Sequence, residues 1–393
     1  MKTQPNLNLV KDLCIILIII FSGFISCRNE DNKREFANIY FTPDQFIEKE
    51  NVLLDTIVDE IEYILPESGP NSYIGRISSM FITEDEILLI SQGDILIFDR
   101  SGKFKTKLGA RGRGPEEYLS PLEVLYRDER YIVYDSRAIL EYDTNYQFIR
   151  KTDHDRYLKR IKLLGSDKYV CDLMTDSFPG DSVVYSLAFY DKEMNIINKL
   201  ETSESSEPVN GQLFMIDLMG GLNHGSDGVL FREQYGDTIY NITPDMERLP
   251  LLKLGMGNKK YPRELNFNLA MFQEKRNDYI QPGKFSIIDN NLIMQFLYDG
   301  RSMYSWTDIS SDNTIIPVIN NKDKAYGFTL SAFPGYSLIT YFTEGFLVGI
   351  IQPSDIMEYF DKDTKGIPAD LKTKLENITV DQNPVLVLGR YQN

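Results

Sequence analysis

The 393-residue sequence contains one tryptophan, two histidines and three cysteines, and each scarcity removes a class of function. His154 and His224 are too few for a three-histidine zinc centre, and they leave little room for Ser-His or Cys-His catalysis. Cys14, Cys27 and Cys171 cannot supply a disulfide framework, so stability has to come from packing. Cations are also short: 42 Lys and Arg face 58 Asp and Glu, a net charge of −16. That balance argues against nucleic acid as a partner, because such binding rests on cations that neutralise phosphates. The acidity forms no long block, and its plainest reading is solubility. No apolar run approaches the ~20 residues of a membrane-spanning helix.

What the chain holds in quantity is 24 Tyr and 22 Phe, interleaved with 26 Gly and 17 Pro. Aromatics favour strands, while Gly and Pro punctuate turns, so the composition indicates an all-β protein of many short strands. With 42% hydrophobic and 25% charged residues, disorder and collagen-like structure are excluded.

At the N-terminus Lys2 and Lys11 precede the apolar run Leu13 to Phe21. At ~1.5 Å per residue this run makes about 14 Å of helix, far below a ~30 Å hydrocarbon core, and it suits an export signal. Phe24-Ile25-Ser26-Cys27 resembles the lipobox of bacterial lipoproteins, with Phe24 in place of the usual Leu. The resemblance implies cleavage after residue 26 and acylation of Cys27; an ordinary secretory signal is the alternative. The polar stretch Arg28 to Glu35 then reads as a tether, and its Glu30-Asp31 pair resembles the acidic signal of some surface-exposed Bacteroidota lipoproteins.

Farther along, Phe98-Asp99, Tyr142-Asp143 and Tyr190-Asp191 each end a β-rich run before a turn and a second run. The Asp can accept a hydrogen bond from backbone two residues on and so close the turn. Tyr240-Asn241 and Tyr304 extend the series, and Tyr336 to Ile351 supplies strands for a sixth unit. Units of roughly 40–50 residues with about four short strands are the mark of a β-propeller. A β-sandwich or jelly roll with a second domain is the competing architecture, but it needs no constant period. Pro262 to Tyr279 reads as a helical insertion, and Ile356, Tyr359, Phe360, Leu371 and Leu375 suggest two short helices. A ring must not leave a sheet edge bare. Val58 to Leu65 and Pro384 to Leu388 are the segments expected to meet in its last blade.

Together these segments resemble the six-bladed β-propeller lipoproteins of Bacteroidota, which are similar to NHL-repeat propellers. The most specific piece is Phe98-Asp99-Arg100-Ser101-Gly102-Lys103-Phe104 followed by Gly109-Ala110-Arg111-Gly112-Arg113-Gly114-Pro115-Glu116-Glu117-Tyr118. Glu116 stands where the family usually has Gly, a departure that bears on local turn geometry. Asp237-Thr238-Ile239-Tyr240 and Asp381-Gln382-Asn383-Pro384-Val385 match further family runs. The expected organisation is a signal peptide over 1–26, a lipidated Cys27 and tether over 27–40, and a six-bladed β-propeller over 41–393, with small helical insertions and a ring closed by N- and C-terminal strands.

For function, Arg111 and Arg113 on a glycine-rich loop, with Glu117 and Tyr118, are the candidate ligand-binding residues, because guanidinium groups grip carboxylate or phosphate bidentately. The plainer reading has the glycines shaping an inter-blade connection and the arginines paired with Glu116, Glu117 or other acids. The loop lacks the Gly-Lys-Ser/Thr end of a phosphate loop. Asp99, Asp143 and Asp191 recur in equivalent turns and are read as architectural. His154 reads as a solvated loop residue flanked by acids, and His224 as a residue on a flexible loop. No catalytic residue, metal ligand or cofactor is assigned; calcium in a central channel, held by single residues from separate blades, would escape a sequence reading. The expected function is therefore that of a non-enzymatic outer-membrane lipoprotein, periplasmic or surface-facing, held to the membrane by its lipid and capturing a glycan, peptide or envelope protein. A hydrolase or lyase with a divalent cation in the channel is the alternative.

Overall fold

The computed structural model describes residues 37–43, 46, 49–50, 52–135, 137–154, 158–177, 183–203, 220–225, 228–320, 325–343, 345–362 and 367–391. The expected signal segment and Cys27 lie outside the described residues. Sheet I is an antiparallel meander of Ile77–Ile82, Glu86–Ser91, Asp94–Asp99 and Phe104–Lys107. Sheet II (Pro121–Arg127, Arg130–Asp135, Ala138–Asp143, Phe148–Asp153) and sheet III (Arg160–Leu164, Lys168–Ser177, Val184–Asp191, Ile196–Glu201) repeat that plan.

The remaining sheets recruit strands from elsewhere in the chain. Sheet IV holds Gly221–Gly225, Gly228–Arg232, Thr238–Ile242 and Arg248–Gly255, then Ala37–Tyr40 in parallel pairing, then Asn313–Thr314. Ala37–Tyr40, assigned to the tether by the sequence reading, is thus a paired strand. Sheet V holds Gln281–Ile288, Asn291–Tyr298, Arg301–Asp308 and Pro317–Asn320, with Lys49–Glu50 pairing in parallel. Sheet VI is Phe328–Leu330, Phe333–Thr343, Phe346–Ile351 and Val385–Arg390, completed by Glu60–Ile64. The two expected closing segments do pair: Ile61 lies opposite Gly389 and Tyr63 opposite Val387.

Why the strands read as continuous apolar runs is visible in Glu86–Ser91, all of whose residues are buried. Side chains alternate between the two faces of a strand. Ile87 and Leu89 pack against sheet VI, while Leu88 and Ile90 pack against sheet II. The same division recurs in sheet II, where Tyr131 and Val133 face sheet I and Ile132 and Tyr134 face sheet III. Val170 and Phe189 of sheet III meet Val229 and Phe231 of sheet IV. Leu252 and Leu254 meet Leu292 and Phe296 of sheet V, and Ile293 with Tyr304 meets Leu347 and Val387 of sheet VI. Each sheet is covered on both faces, and each fully buried Leu, Ile or Phe contributes about 1.5–3 kcal/mol.

Around the middle, Ile77–Ile82 neighbours Pro121–Arg127, then Arg160–Leu164, Gly221–Gly225, Gln281–Ile288 and Phe333–Thr343, which returns to Ile77–Ile82. The fold is all-β and propeller-like, with few helices. The expected regular ring of six four-stranded blades is not confirmed: sheets I to III are plain meanders, whereas IV to VI take strands from residues 37–64, so their composition does not follow the sequence period.

Helix α1 (Leu269–Lys275) is capped by Asn268, whose Oδ1 accepts the Met271 amide at 3.1 Å, and lies between 3₁₀ turns Arg263–Phe267 and Arg276–Asp278. Helices α2 (Pro353–Lys362) and α3 (Ala369–Leu375) bury Ile356, Leu371 and Leu375 in the cluster between sheets V and VI.

The repeated aspartates make the turns as expected. Asp99 Oδ1 accepts the amides of Ser101 at 2.9 Å and Lys103 at 3.0 Å. Asp143 accepts those of Asn145 at 2.9 Å and Gln147 at 2.8 Å, and Asp191 those of Glu193 at 3.0 Å and Asn195 at 2.8 Å. In sheet IV this place belongs to Thr243, whose Oγ1 accepts the Glu247 amide at 3.2 Å, and not to Asn241. The fourth turn residue adopts positive φ: Gly102 at 91°, Tyr146 at 63°, Met194 at 62° and Met246 at 64°. Outside glycine that conformation costs about 1 kcal/mol or more. It is offset here by side chains that reach into the cluster shared with the preceding sheet: Tyr146 with sheet I, Met194 with sheet II, Met246 with sheet III.

Candidate functional site

The glycine-rich loop after sheet I is tied down from both ends. Ala110–Arg111 pairs in parallel with Glu117–Tyr118. The Glu117 carboxylate accepts the Gly114 amide at 2.7 Å, and Lys151 donates to the Glu117 carbonyl at 3.0 Å. Asp135, itself buried, takes the amides of Leu119 at 3.1 Å and Ser120 at 2.7 Å. Glu116 keeps negative φ, so its side chain is accommodated in the turn without backbone strain.

The four expected ligand-binding residues separate into two kinds. Tyr118 is 1% exposed, and its hydroxyl accepts the Ile95 amide at 3.3 Å. Burial pushes its pKa up to about 12. Tyr118 therefore serves packing between sheets I and II, while the Glu117 side chain serves the loop. Arg111 and Arg113 are exposed, and among the described residues neither makes an ion pair, so the expected pairing with Glu116 or Glu117 does not occur.

Beside this loop runs a groove between sheets I and II. One cavity of about 490 Å³ is lined by Glu116, Glu117, Tyr142, Tyr146, Gln147 and Phe148, among others. A neighbouring one of about 630 Å³ includes Lys103, Phe104, Thr106, Asn145, Tyr146 and Gln147. Tyr146 and Gln147 line both. The groove thus mixes half-buried aromatic faces with amide, hydroxyl and ammonium groups, the combination that lets a ligand stack and hydrogen-bond at once.

Its wall is fixed by Glu86, which is 5% exposed and accepts hydrogen bonds from Lys105, Tyr131 and Tyr146. Burial pushes the Glu86 carboxyl up, but those hydrogen bonds outweigh it and hold the group below its ordinary value. The same contacts raise Lys105, while burial and the Glu86 carboxylate raise both tyrosines, so all keep their protons at neutral pH. Lys105 also sits over the Tyr146 ring, 5.2 Å from its centroid. None of this cluster was found by sequence reasoning. Its one visible signal is an acid heading the apolar run Glu86-Ile87-Leu88-Leu89-Ile90.

His224 is not on a loop: it lies in the strand Gly221–Gly225, next to the ring axis. Burial, with the Lys162 charge as a lesser cause, pushes its pKa well down, so it is neutral. Lys162 pairs with Glu123 across the innermost strands of sheets II and III. His154 is half-buried and stacks on Tyr134 with centroids 5.8 Å apart, which replaces the expected solvated position. Among the described residues, no group of three or more His, Cys, Asp or Glu side chains is placed to hold a metal ion.

The fold has a clear counterpart in the crystal structure of a candidate exported protein from Bacteroides fragilis, with a TM-score of 0.62 at 14% identity, covering 91% of this chain and 100% of that one. The extracellular domain of a hybrid two-component system from B. thetaiotaomicron aligns at a TM-score of 0.42 and 10% identity, covering 74% of this chain and 32% of that one. No curated protein matches the sequence. The family described as a domain of unknown function, DUF4934, matches residues 39–390, and the chain belongs to it.

Proposed function

We propose that the protein is a non-enzymatic, lipid-anchored binding module of the cell envelope that takes a glycan or peptide chain in the groove between sheets I and II. The observation that carries this reading is the pair of adjoining cavities joined at Tyr146 and Gln147. Two adjoining cavities with Phe104, Tyr142, Tyr146 and Phe148 in their lining offer an extended chain successive aromatic contacts. Arg111 and Arg113 are exposed on the loop whose Gly109, Ala110, Gly114 and Pro115 line the first cavity, and they add positive charge to that loop. The exported relative supports an envelope location, and the Phe24-Ile25-Ser26-Cys27 run supports an anchor at Cys27. A count of six blades belongs to the same reading; it is supported by the six sheets of four or more strands and by their innermost strands following one another around the axis.

The test is calorimetric titration of the full chain, in mild detergent, against a panel of oligosaccharides and extended peptides. At least one should bind saturably, and Gln147→Ala, a change at an exposed position, should weaken that binding at least ~fivefold. Silence across the panel, or binding indifferent to Gln147, would overturn the assignment. Mass spectrometry of the membrane fraction should find Cys27 acylated at a new N-terminus.

A further inference from the structure

The notches between successive sheets are related by register. In sheet I, Glu86 lies opposite the turn residue Asp99; in sheet II, Arg130 lies opposite Asp143. The two positions are equivalent, yet they carry opposite charge. Between sheets I and II the equivalent position is occupied by Glu86, which receives the Tyr146 phenol from the next turn. Between sheets II and III the position is Arg130, and the residue matching Tyr146 is Met194, which packs into the apolar cluster and brings no polar atom.

A groove of about 280 Å³ results, lined by Arg127, Arg130, Arg150 and Lys192. Three acids, Asp128, Glu141 and Glu193, share the lining, so four cations against three carboxylates leave this small groove at +1 in a chain of net charge −16. A single buried carboxylate, Glu141, serves two of them: Arg130 donates at 2.9 Å and Arg150 at 2.5 Å. Arg127 is nine-tenths buried, with its guanidinium 4.6 Å from the Tyr169 ring centroid and its Nη2 donating to the Tyr169 hydroxyl at 2.8 Å. Its Nη1 is buried without a hydrogen-bond partner among the described residues. The nearest acid to Arg127, Asp128, is 3.9 Å away and largely exposed. Lys192 makes no ion pair among the described residues. The other acid of the groove, Glu193, is also exposed. Guanidinium donors left over after one shared carboxylate are what a bound oxyanion needs, and the burial of Arg127 strengthens the attraction.

We infer that the groove between sheets II and III is an anion site, built to take a carboxylate or sulfate group carried by a ligand. It is separate from the groove proposed above and does not depend on it: the lining residues differ, and the recognition is by charge instead of stacking.

Calorimetry of the full chain with sodium sulfate and, separately, sodium acetate, at low ionic strength and without chloride, tests this. Saturable binding of at least one of the two is expected. Lys192→Glu, a change at an exposed side chain, should weaken it at least ~tenfold, and Arg130→Gln, which keeps a donor for Glu141, ~fivefold. Arg113→Ala, on the glycine-rich loop, should leave it unchanged. If Arg130→Gln fails to fold, Lys192→Glu decides alone. Absence of saturable binding by either anion, equal affinity in Lys192→Glu, or an equal loss in Arg113→Ala would overturn the assignment.

Discussion

The side-chain oxygen of Asn383 accepts the backbone amide of Ile74 at 2.7 Å, across 309 residues of sequence. The same side chain donates to the carbonyls of Glu67 and Ser72, each at 2.8 Å, and its own amide donates to Ser68 Oγ at 2.8 Å. Asn383 is 3% exposed, so every polar atom of its side chain is used where water cannot substitute. It fastens the segment entering sheet I to the one entering the last strand of sheet VI.

Asn383→Ala should therefore destabilise the protein by about 2–4 kcal/mol, since it leaves buried donors and acceptors unmet. Urea unfolding followed by tyrosine fluorescence measures this. A loss below ~1 kcal/mol would mean that the fastening is not needed.

Glu86 predicts an acid-dependent loss of stability. Its folded-state pKa lies below the ordinary value of 4.5. A depressed carboxylate stabilises the fold above its unfolded pKa, and that contribution disappears as pH falls through the folded value. Glu86→Gln should cost about 1–3 kcal/mol near pH 7. Its stability should converge with that of the parent as pH falls below 4.5. A difference independent of pH would assign the loss to packing instead.

Gly102 and Gly257 form a controlled pair. Both have positive φ, 91° and 52°. A Cβ on Gly102 would lie 2.3 Å from the Leu65 carbonyl oxygen, whereas nothing stands within 4 Å of one on Gly257. Gly257→Ala should cost about 1 kcal/mol of backbone strain. Gly102→Ala adds a collision with main chain and should cost clearly more, about 2 kcal/mol or above. Thermal unfolding of the two variants side by side gives the difference directly.

Cys171 is wholly buried, and burial holds its thiol well above the ordinary range. The thiolate is the reactive form. Peptide mapping after iodoacetamide treatment should find Cys171 unmodified in the native protein and modified once it is unfolded in urea. Modification under native conditions would show that sheets II and III separate readily.

Much of the architecture was legible because the Asp turns repeat. Asp99, Asp143 and Asp191 close hairpins as their spacing suggested, and the apolar segments at residues 60–64 and 385–390 pair as the need for closure required. Sheets IV and V were less legible. Strands as short as Lys49–Glu50 and Asn313–Thr314 are too brief to show any period, and their place is decided by the edge they cover. At the candidate site the sequence drew attention to Arg111 and Arg113, because two guanidinium groups among glycines stand out. The wall of the groove did not stand out. Tyr146 adopts a backbone conformation that its residue type rarely enters, held there by contacts with Tyr131 and Glu86, neither of which is near it in sequence. Such a residue is explained only by its neighbours in space.

The pairing of residues 37–64 with sheets IV, V and VI orders events during synthesis. Ala37–Tyr40 must wait for residues 252–255, and Glu60–Ile64 for residues 386–390, before their backbone amides find partners. The stretch that leaves the ribosome early is thus among the last to be seated, and a nascent chain that stops short of its final strand leaves Glu60–Ile64 without a partner and sheet VI incomplete.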